Sequence, residues 1–355
     1  MAPLTPRPGH GLLRCPVCRL QLTTASGALV CGNRHSFDFA REGYVNLLRN
    51  VRRHAAAGGD TAEQLRHRAA FLERGYFDAI AATIARHVRE AGAEPPGGGW
   101  RILDAGCGTG YHLAKLAAAI EGPMVGLGLD IAREAARQAA RRWPGLAFAV
   151  ADLWAEWPVH DIAADLVISI FAPKNFPQAA RVLRPGGWIA VVYPGPEHLR
   201  ELHHRFGLMR QHEGKTRRYF AAMSRLIGRP TVTRLSCRRL LDGAAIRDVV
   251  LMGPNSRHIG PAIFDNEAGP FTFDMVLLRA NPARSWVPDA RRLLRRQLAS
   301  QTANCCDKNL PRSRCIFYRV LTGRRDVPVS GPLLLPSRHG TCSGPNIFPD
   351  EFPVR

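Results

Sequence analysis

From Arg101 onward the chain alternates between two hydrophobic periods. The short apolar runs "RILDA" (101–105), "MVGLGLD" (124–130), "LAFAVAD" (146–152), "ADLVISIFAP" (164–173) and "WIAVVYP" (188–194) have the length and composition of strands. Between them, "YHLAKLAAAI" (111–120), "IAREAARQAARRW" (131–143) and "PQAARVL" (177–183) return their apolar residues at helical spacing, and "RPGG" marks a turn. Strand and helix in repeated alternation predict an α/β fold, a doubly wound, mainly parallel sheet with helices on both faces. Upstream, Asp60 and Thr61, followed three residues on by Glu63 and Gln64, signal the start of a helix through "AEQLRHRAAFLERGYF". The Pro/Gly stretch "AEPPGGGW" closes that helical region. Late in the chain Phe271, Phe273, Met275 and Leu277 alternate in "FTFDMVLLRA", which predicts a final strand at the sheet edge.

The pattern divides the chain into four segments. Residues 1–48 hold a Cys/His cluster and end in "HSFDFAREGYVNLL"; residues 49–97 are a basic, Gly/Ala-rich linker and the helical segment; residues 98–280 are the alternating domain. Residues 281–355 show neither period and carry 13 Arg/Lys against 5 Asp/Glu, with Cys305, Cys306, Cys315 and Cys342 lacking metal-ligand spacing. That segment is expected to be a disordered tail, read either as a mis-extended reading frame or as a basic RNA-binding extension.

Charge narrows the partners. The 355 residues carry a formal charge of +20, and their only lysines are Lys115, Lys174, Lys215 and Lys308, so the excess is arginine. GC-rich coding accounts for part of this. A basic chain of this kind still favours a polyanion, nucleic acid above all, because guanidinium groups that neutralise phosphates release counterions. No apolar run reaches the roughly 18 residues of a membrane span, and no secretory apolar core is visible near the N-terminus, so a cytoplasmic location is expected. There thiols stay reduced, and clustered cysteines indicate metal before disulfide.

Asp104-Ala-Gly106-Cys-Gly108-Thr109-Gly110 lies between a strand and a helix, where a doubly wound sheet binds its ligand. Asp130 ends the second strand, positioned to accept ribose hydroxyls, and Asp152 ends the third, beside an adenine edge. A dinucleotide loop would read G-x-G-x-x-G; this one reads G-x-G-x-G behind an acid that repels pyrophosphate and suits an ammonium and a sulfonium. S-adenosylmethionine is therefore the better fit. Cys107 reads as a small buried filler. Cys15, Cys18, Cys31 and His35 fall at C-x2-C-x12-C-x3-H. Four such ligands close a tetrahedral Zn2+ with no open position, which makes the site structural. His10 reads as solvated. Arg14, Arg19, Arg34, Arg41, Arg49, Arg52 and Arg53 give this zinc-binding module the charge of an RNA-recognition element.

With the zinc ligands and the loop "LDAGCGTGYH", the stretches "HSFDFAREGYVNLL", "GGDTAEQLRHRAAFLERGYF", "GLDIA", "FAP", "RVLRPGGW" and "YPGPEHL" follow in an order that resembles the 23S ribosomal RNA guanine-N1 methyltransferases, the RlmA-like family. The likeness spans roughly residues 12 to 200 and continues more loosely to about 279. It implies a class I S-adenosylmethionine-dependent enzyme that methylates a guanine of hairpin 35 in 23S rRNA or a large-subunit precursor. One branch of the family, in macrolide producers, confers resistance to tylosin-like drugs, and the Arg-rich composition is similar to that branch. The resemblance also implies cofactor contacts from Tyr76 or Phe77, from Thr109 and Gly110, and from His198. By position after the fourth strand, Phe171, Pro173 and Asn175 of "FAPKN" border the target base. The general base stays open among Asp152, a backbone carbonyl and a later carboxylate. Arg257 and His258, in "LMGPNSRHIGP", and the Arg133, Arg137, Arg141 face read as surface with a secondary claim to RNA. A homodimer across the zinc modules also stays open. Two other readings remain: a methyltransferase acting on a small molecule or protein, and a catalytically silent zinc-bearing RNA-binding protein.

Overall fold

The computed structural model describes residues 6–48, 59–91, 97, 99–207, 214–253 and 268–281. The tail beyond Asn281 and the loop with Arg257 and His258 lie outside these residues. Among the described residues no helix is long and apolar enough to cross a membrane.

The chain starts with a short 3-10 helix, Pro8–Leu12, and three small antiparallel strands, β1 (Leu22–Ala25), β2 (Ala28–Cys31) and β3 (Ser36–Asp38), in the order β1-β2-β3. Ser26 and Gly27 both take positive φ, 48° and 81°, the geometry of a tight hairpin turn matched to strand twist. β4 (Val45–Asn46) follows and pairs parallel with residues 149–150 of the main sheet.

Two helices follow, α1 (Ala62–Glu73) and α2 (Asp78–Glu90). Thr61 caps α1 as its sequence predicts: its hydroxyl accepts the Gln64 N–H at 3.1 Å while the Gln64 side chain accepts the Thr61 N–H at 2.9 Å. The domain proper runs β5 (Trp100–Ala105), α3 (Tyr111–Ala119), β6 (Met124–Asp130), α4 (Arg133–Arg142), β7 (Ala147–Val150), β8 (Ala164–Ile170), α5 (Phe176–Val182), β9 (Leu183–Pro194), α6 (Arg200–Phe206), α7 (Lys215–Leu226), β10 (Thr231–Leu241), α8 (Gly243–Leu251) and β11 (Gly269–Ala280). Its eight strands lie in the order β10-β11-β9-β8-β5-β6-β7-β4. All neighbours from β4 to β9 are parallel, and β11 is antiparallel to both β9 and β10. The doubly wound sheet is thus as expected, with one correction. The strand at Phe271–Leu277 is interior, and the edge belongs to β10, whose mostly exposed residues gave no strand-like hydrophobic signal.

Period-two alternation divides the core between the faces. Ile102, Phe148, Val150, Ile168 and Phe273 join one cluster with residues of α1, α2, α3, α4 and α8. Leu103, Leu127, Leu129, Ala147, Ala149 and Val167 face the other, with residues of α5 and α7. That second cluster also includes Leu12, Leu13, Leu22 and Leu29, so the N-terminal segment covers sheet surface that a helix would otherwise cover. Close approach is possible because the facing residues are small: a Cβ on Gly9 would lie 2.2 Å from the Gly126 carbonyl oxygen and 2.7 Å from Ala147 Cβ. His10 is buried here, its ring 4.9 Å from that of Phe39 and its Nδ1 accepting the Arg7 N–H, so it is not the solvated residue its isolation suggested. Arg137 pairs with Glu134, and Arg133 donates to Tyr44 Oη, as suits a helix surface.

Candidate functional site

Because β5, β6 and β7 are parallel neighbours, their C-terminal ends bring Asp104, Asp130 and Asp152 to one rim. Asp130 fixes the glycine loop: its carboxylate accepts the Gly108 and Ala132 N–H groups, both at 2.8 Å. Asp152 accepts the Trp154 N–H at 2.9 Å. Asp104 is 1% exposed, and its Oδ1 has no partner among the described residues. Burial, then the charge of Asp130, pushes its carboxyl up to about 8. Once ionised, a buried acid with an orphan oxygen at a strand end can accept a hydrogen bond from a cationic group.

The loop glycines are there for space. Gly106 has φ 90°, and a Cβ on it would sit 2.2 Å from Ala172 Cβ in "FAPKN"; Gly110 has φ 75°, and a Cβ there would meet the Phe148 ring at 2.8 Å. Gly110 caps α3, and the buried Thr109 turns its carbonyl to Trp143 Nε1 at 3.0 Å.

A ring cluster adjoins the loop. Phe77 lies 5.1 Å from Phe171, 6.2 Å from His198 in a stacked arrangement, and 6.5 Å from His112. Tyr76 turns away, stacked on Phe273 and tilted against Phe71, with its hydroxyl donating to the Leu240 carbonyl. Of this adjacent pair, Phe77 is the one beside the other predicted residues. His198 is buried and held through its Nδ1, which accepts the Asp274 N–H; burial keeps it neutral, down to about 4. Phe171 is 38% exposed at φ 51°, an uncommon backbone state for a bulky residue and the kind of outlier found at functional turns. Pro173 lies in the same loop. Asn175 caps α5 by accepting the Gln178 N–H, and its amide donates to the Leu153 carbonyl at 2.9 Å.

Three residues of this region are not marked by their own sequence signal, although His112 closes "LDAGCGTGYH" and Lys174 lies within "FAPKN". Lys174 sends its Nζ to the Ser169 carbonyl at 2.9 Å and the Ser169 hydroxyl at 3.2 Å; burial pushes it down to about 7 against the pull of Asp104. His112 is buried in the ring cluster with no partner for Nδ1 among the described residues, and burial followed by Arg68 lowers it to about 4. Asp274, in the middle of an apolar strand, receives Arg234 Nε at 2.6 Å and the Glu197 N–H at 3.0 Å, and so anchors the turn that presents His198. Beyond that, a lone acid or lysine inside an apolar run was the only hint.

The N-terminal cluster fits a metal. One ligand atom from each of Cys15, Cys18, Cys31 and His35 lies within 4.8 Å of every other. Cys18 and Cys31 Sγ are 3.5 Å apart, and His35 Nδ1 is 3.6 Å from Cys15 Sγ and 3.4 Å from Cys31 Sγ. These are the edges of a tetrahedron with metal–ligand bonds of about 2.0–2.3 Å, those of zinc with imidazole and thiolate. The segment from Cys15 to His35 has no separate core and folds around that point, its Leu22 and Leu29 packing into the cluster of the main sheet.

Comparison with known proteins gives two family matches: residues 13–54 match the zinc ribbon described as "RlmA, N-terminal", and residues 102–187 match a methyltransferase domain. The chain is 40% identical over 253 residues to the 23S rRNA (guanine(748)-N(1))-methyltransferase of Streptomyces fradiae, covering 70% of this chain and 87% of that one. It is 39% identical over 264 residues to a Micromonospora griseorubida protein named for 23S rRNA guanine-N(1) methylation, with 70% and 88% covered. Among solved structures, a geranyl diphosphate methyltransferase bound to S-adenosylmethionine aligns over 65% of this chain and 95% of its own at 18% identity and a TM-score of 0.38.

Proposed function

Because the chain belongs to the 23S rRNA (guanine-N1)-methyltransferases, S-adenosylmethionine-dependent enzymes with an N-terminal zinc ribbon, we propose that its target is the guanine of hairpin 35 equivalent to the guanine 748 in the name of its Streptomyces fradiae relative. The observation that supports this most is the rim itself: three carboxylates on adjacent strand ends around a glycine loop, with the partly exposed ring of Phe171 in the loop that packs on Gly106.

S-adenosylmethionine supplies an electrophilic methyl group on a sulfonium. In the proposed arrangement Asp104 pairs with its ammonium through the orphan Oδ1, Asp130 takes the ribose hydroxyls, and Asp152 lies at the adenine side. Gly106, Gly108, Thr109 and Gly110 let the backbone approach, while Phe77 and His198 close the far side. Phe171, Pro173 and Asn175 border the flipped guanine, with Phe171 as the stacking surface. As the N1–carbon bond forms, the sulfur–carbon bond breaks with its electron pair going to sulfur, and the N1 proton must leave. His112, neutral and unpartnered at Nδ1, offers an acceptor for that N–H.

The test combines the purified protein, radiolabelled S-adenosylmethionine and either a hairpin transcript or intact large subunits, with the modified base located by reverse-transcriptase arrest and mass spectrometry. An N1-methylguanine is the expected product. Phe171→Ala and His112→Phe should each lower kcat by about 10²-fold or more while cofactor affinity stays within about twofold. Cofactor binding with no labelled RNA on either substrate would reject the RNA reading in favour of a small-molecule or protein acceptor.

A further inference from the structure

The residues that bracket the metal knuckle reach the methyltransferase domain. Arg14 precedes Cys15 and Arg19 follows Cys18, and both grip one carboxylate: Arg14 Nη2 is 2.5 Å from Glu156 Oε1, and Arg19 Nη2 is 2.7 Å from Glu156 Oε2. Arg14 Nη1 also donates to Asp161 Oδ1 at 2.9 Å. The backbone reinforces the grip. The Arg14 N–H donates to the Pro158 carbonyl at 3.0 Å, the His160 N–H donates to the Leu12 carbonyl at 3.1 Å, and Leu13 bridges Val159 in antiparallel fashion. The Arg14 side chain is only 10% exposed, while Glu156 and Asp161 keep one side open to solvent at 31% and 44% and Arg19 is exposed.

The same segment is held from its other side by α5. Arg181, 3% exposed, donates to the Val159 carbonyl at 2.8 Å, to Asp161 Oδ1 at 2.5 Å and to the Trp157 carbonyl at 2.8 Å. Gln178 Oε1 accepts the Trp157 N–H at 3.1 Å, and Asn175 Nδ2 donates to the Leu153 carbonyl at 2.9 Å. Residues 153–161 thus lie clamped between the ribbon and α5. The segment starts beside Asp152, and α5 is capped by Asn175 of the "FAPKN" loop. One cofactor-side residue and one base-side residue hang from a single clamped strip.

We propose that Arg14 is a positioning residue that couples the closed metal knuckle to the cofactor rim: a closed knuckle sets Arg14 and Arg19 on Glu156 and Asp161, and this fixes Asp152 and the Asn175 loop where ligand needs them. The coupling rests on the zinc and cofactor sites described above and not on which RNA is methylated. Loss of Arg14 leaves the knuckle its four ligands but frees the strip. Loss of zinc unseats both arginines, and so the two changes act through the same link.

The experiment measures S-adenosylhomocysteine affinity calorimetrically on the full-length protein, with bound zinc quantified in every sample. Arg14→Met is expected to retain stoichiometric zinc and to weaken S-adenosylhomocysteine binding by about tenfold. Its KM for S-adenosylmethionine should rise by more than its kcat falls, and amides 153–161 should exchange faster. Arg14→Lys should recover part of the affinity. Glu156→Gln, at the other end of the clamp, should shift affinity in the same direction, and it decides the matter if Arg14→Met does not fold. Chelation of zinc from the unaltered protein should weaken binding to a similar degree and add little in Arg14→Met. Unchanged affinity in both zinc-loaded variants would overturn the proposal. So would loss of zinc together with affinity in Arg14→Met while Glu156→Gln keeps both, since Arg14 would then act on the metal site alone. An absence of methyl transfer with the Arg14-dependent affinity intact would instead count against the RNA substrate.

Discussion

Asp104 shows how a single side chain links burial to binding. Its carboxyl is held up to about 8 by burial and by Asp130, so near neutrality the free protein keeps it largely protonated. An ammonium partner needs the carboxylate, and the sign follows: affinity for S-adenosylmethionine should rise as pH increases from about 6 to about 7.5, below the range near 8 where an α-amino group loses its own proton. Lys174 favours that ionisation only while it keeps its own proton, which burial lets go at about 7. Calorimetry across that range should show the slope in the unaltered protein and its loss in Asp104→Asn, together with affinity weaker by roughly tenfold or more, the worth of one charge-assisted hydrogen bond. At this scale the motifs mark out Asp104, Asp130 and Asp152, which the strand order puts on adjacent strand ends, and Phe171 and His198, whose rings lie near Phe77. They do not single out Lys174, His112 and Asp274, whose importance comes from partners 5 to 77 positions away in chain order, or from having no partner at all.

Among elements, α3 depends most on one residue. Gly110 must take φ 75° and leave room for the Phe148 and Trp143 rings, so Gly110→Ala combines a left-handed alanine with an overpacked core. These effects cost about 1–2 and 1–3 kcal/mol respectively. Chemical denaturation should show a loss of about 2–5 kcal/mol, and cofactor binding should fail with it. A loss well under 1 kcal/mol would mean that the loop relaxes to accept a side chain. Some elements declare themselves. The capping pair at Thr61 and Gln64 announces α1, and the apolar runs announce β5 to β9, because local hydrogen bonding and two-sided burial leave their mark on the residues themselves. β10 leaves none: its eleven residues owe their place to backbone pairing with β11, which any side chain permits. The alternation that suggested an edge at Phe271–Leu277 instead reflects two buried faces, interrupted by Asp274 because Arg234 and the Glu197 N–H satisfy it.

For the molecule as a whole, the zinc ribbon and the methyltransferase sheet share one apolar cluster, in which Leu13 and Leu29 touch the same core as Leu127 and Ala149. Metal removal should therefore lower the stability of both together. Calorimetric scans with and without a chelator should give a single transition that moves down intact, and an early separate ribbon transition would contradict this packing. The sequence displays the ribbon as a segment of its own because ligand spacing is local. Its seat is invisible there, since the fit of Gly9 onto Gly126 involves two residues with no side chain to form a pattern. The parallel pairing of β4 with β7 has a further consequence, for the order in which the protein is made. Val45 and Asn46 leave the ribosome about 100 residues before Ala149 and Val150, a delay of roughly 5–20 s at ordinary rates of synthesis. Through that interval the ribbon has neither its sheet nor its share of the core, and the bound zinc is what keeps the nascent segment folded until the edge it will join has emerged.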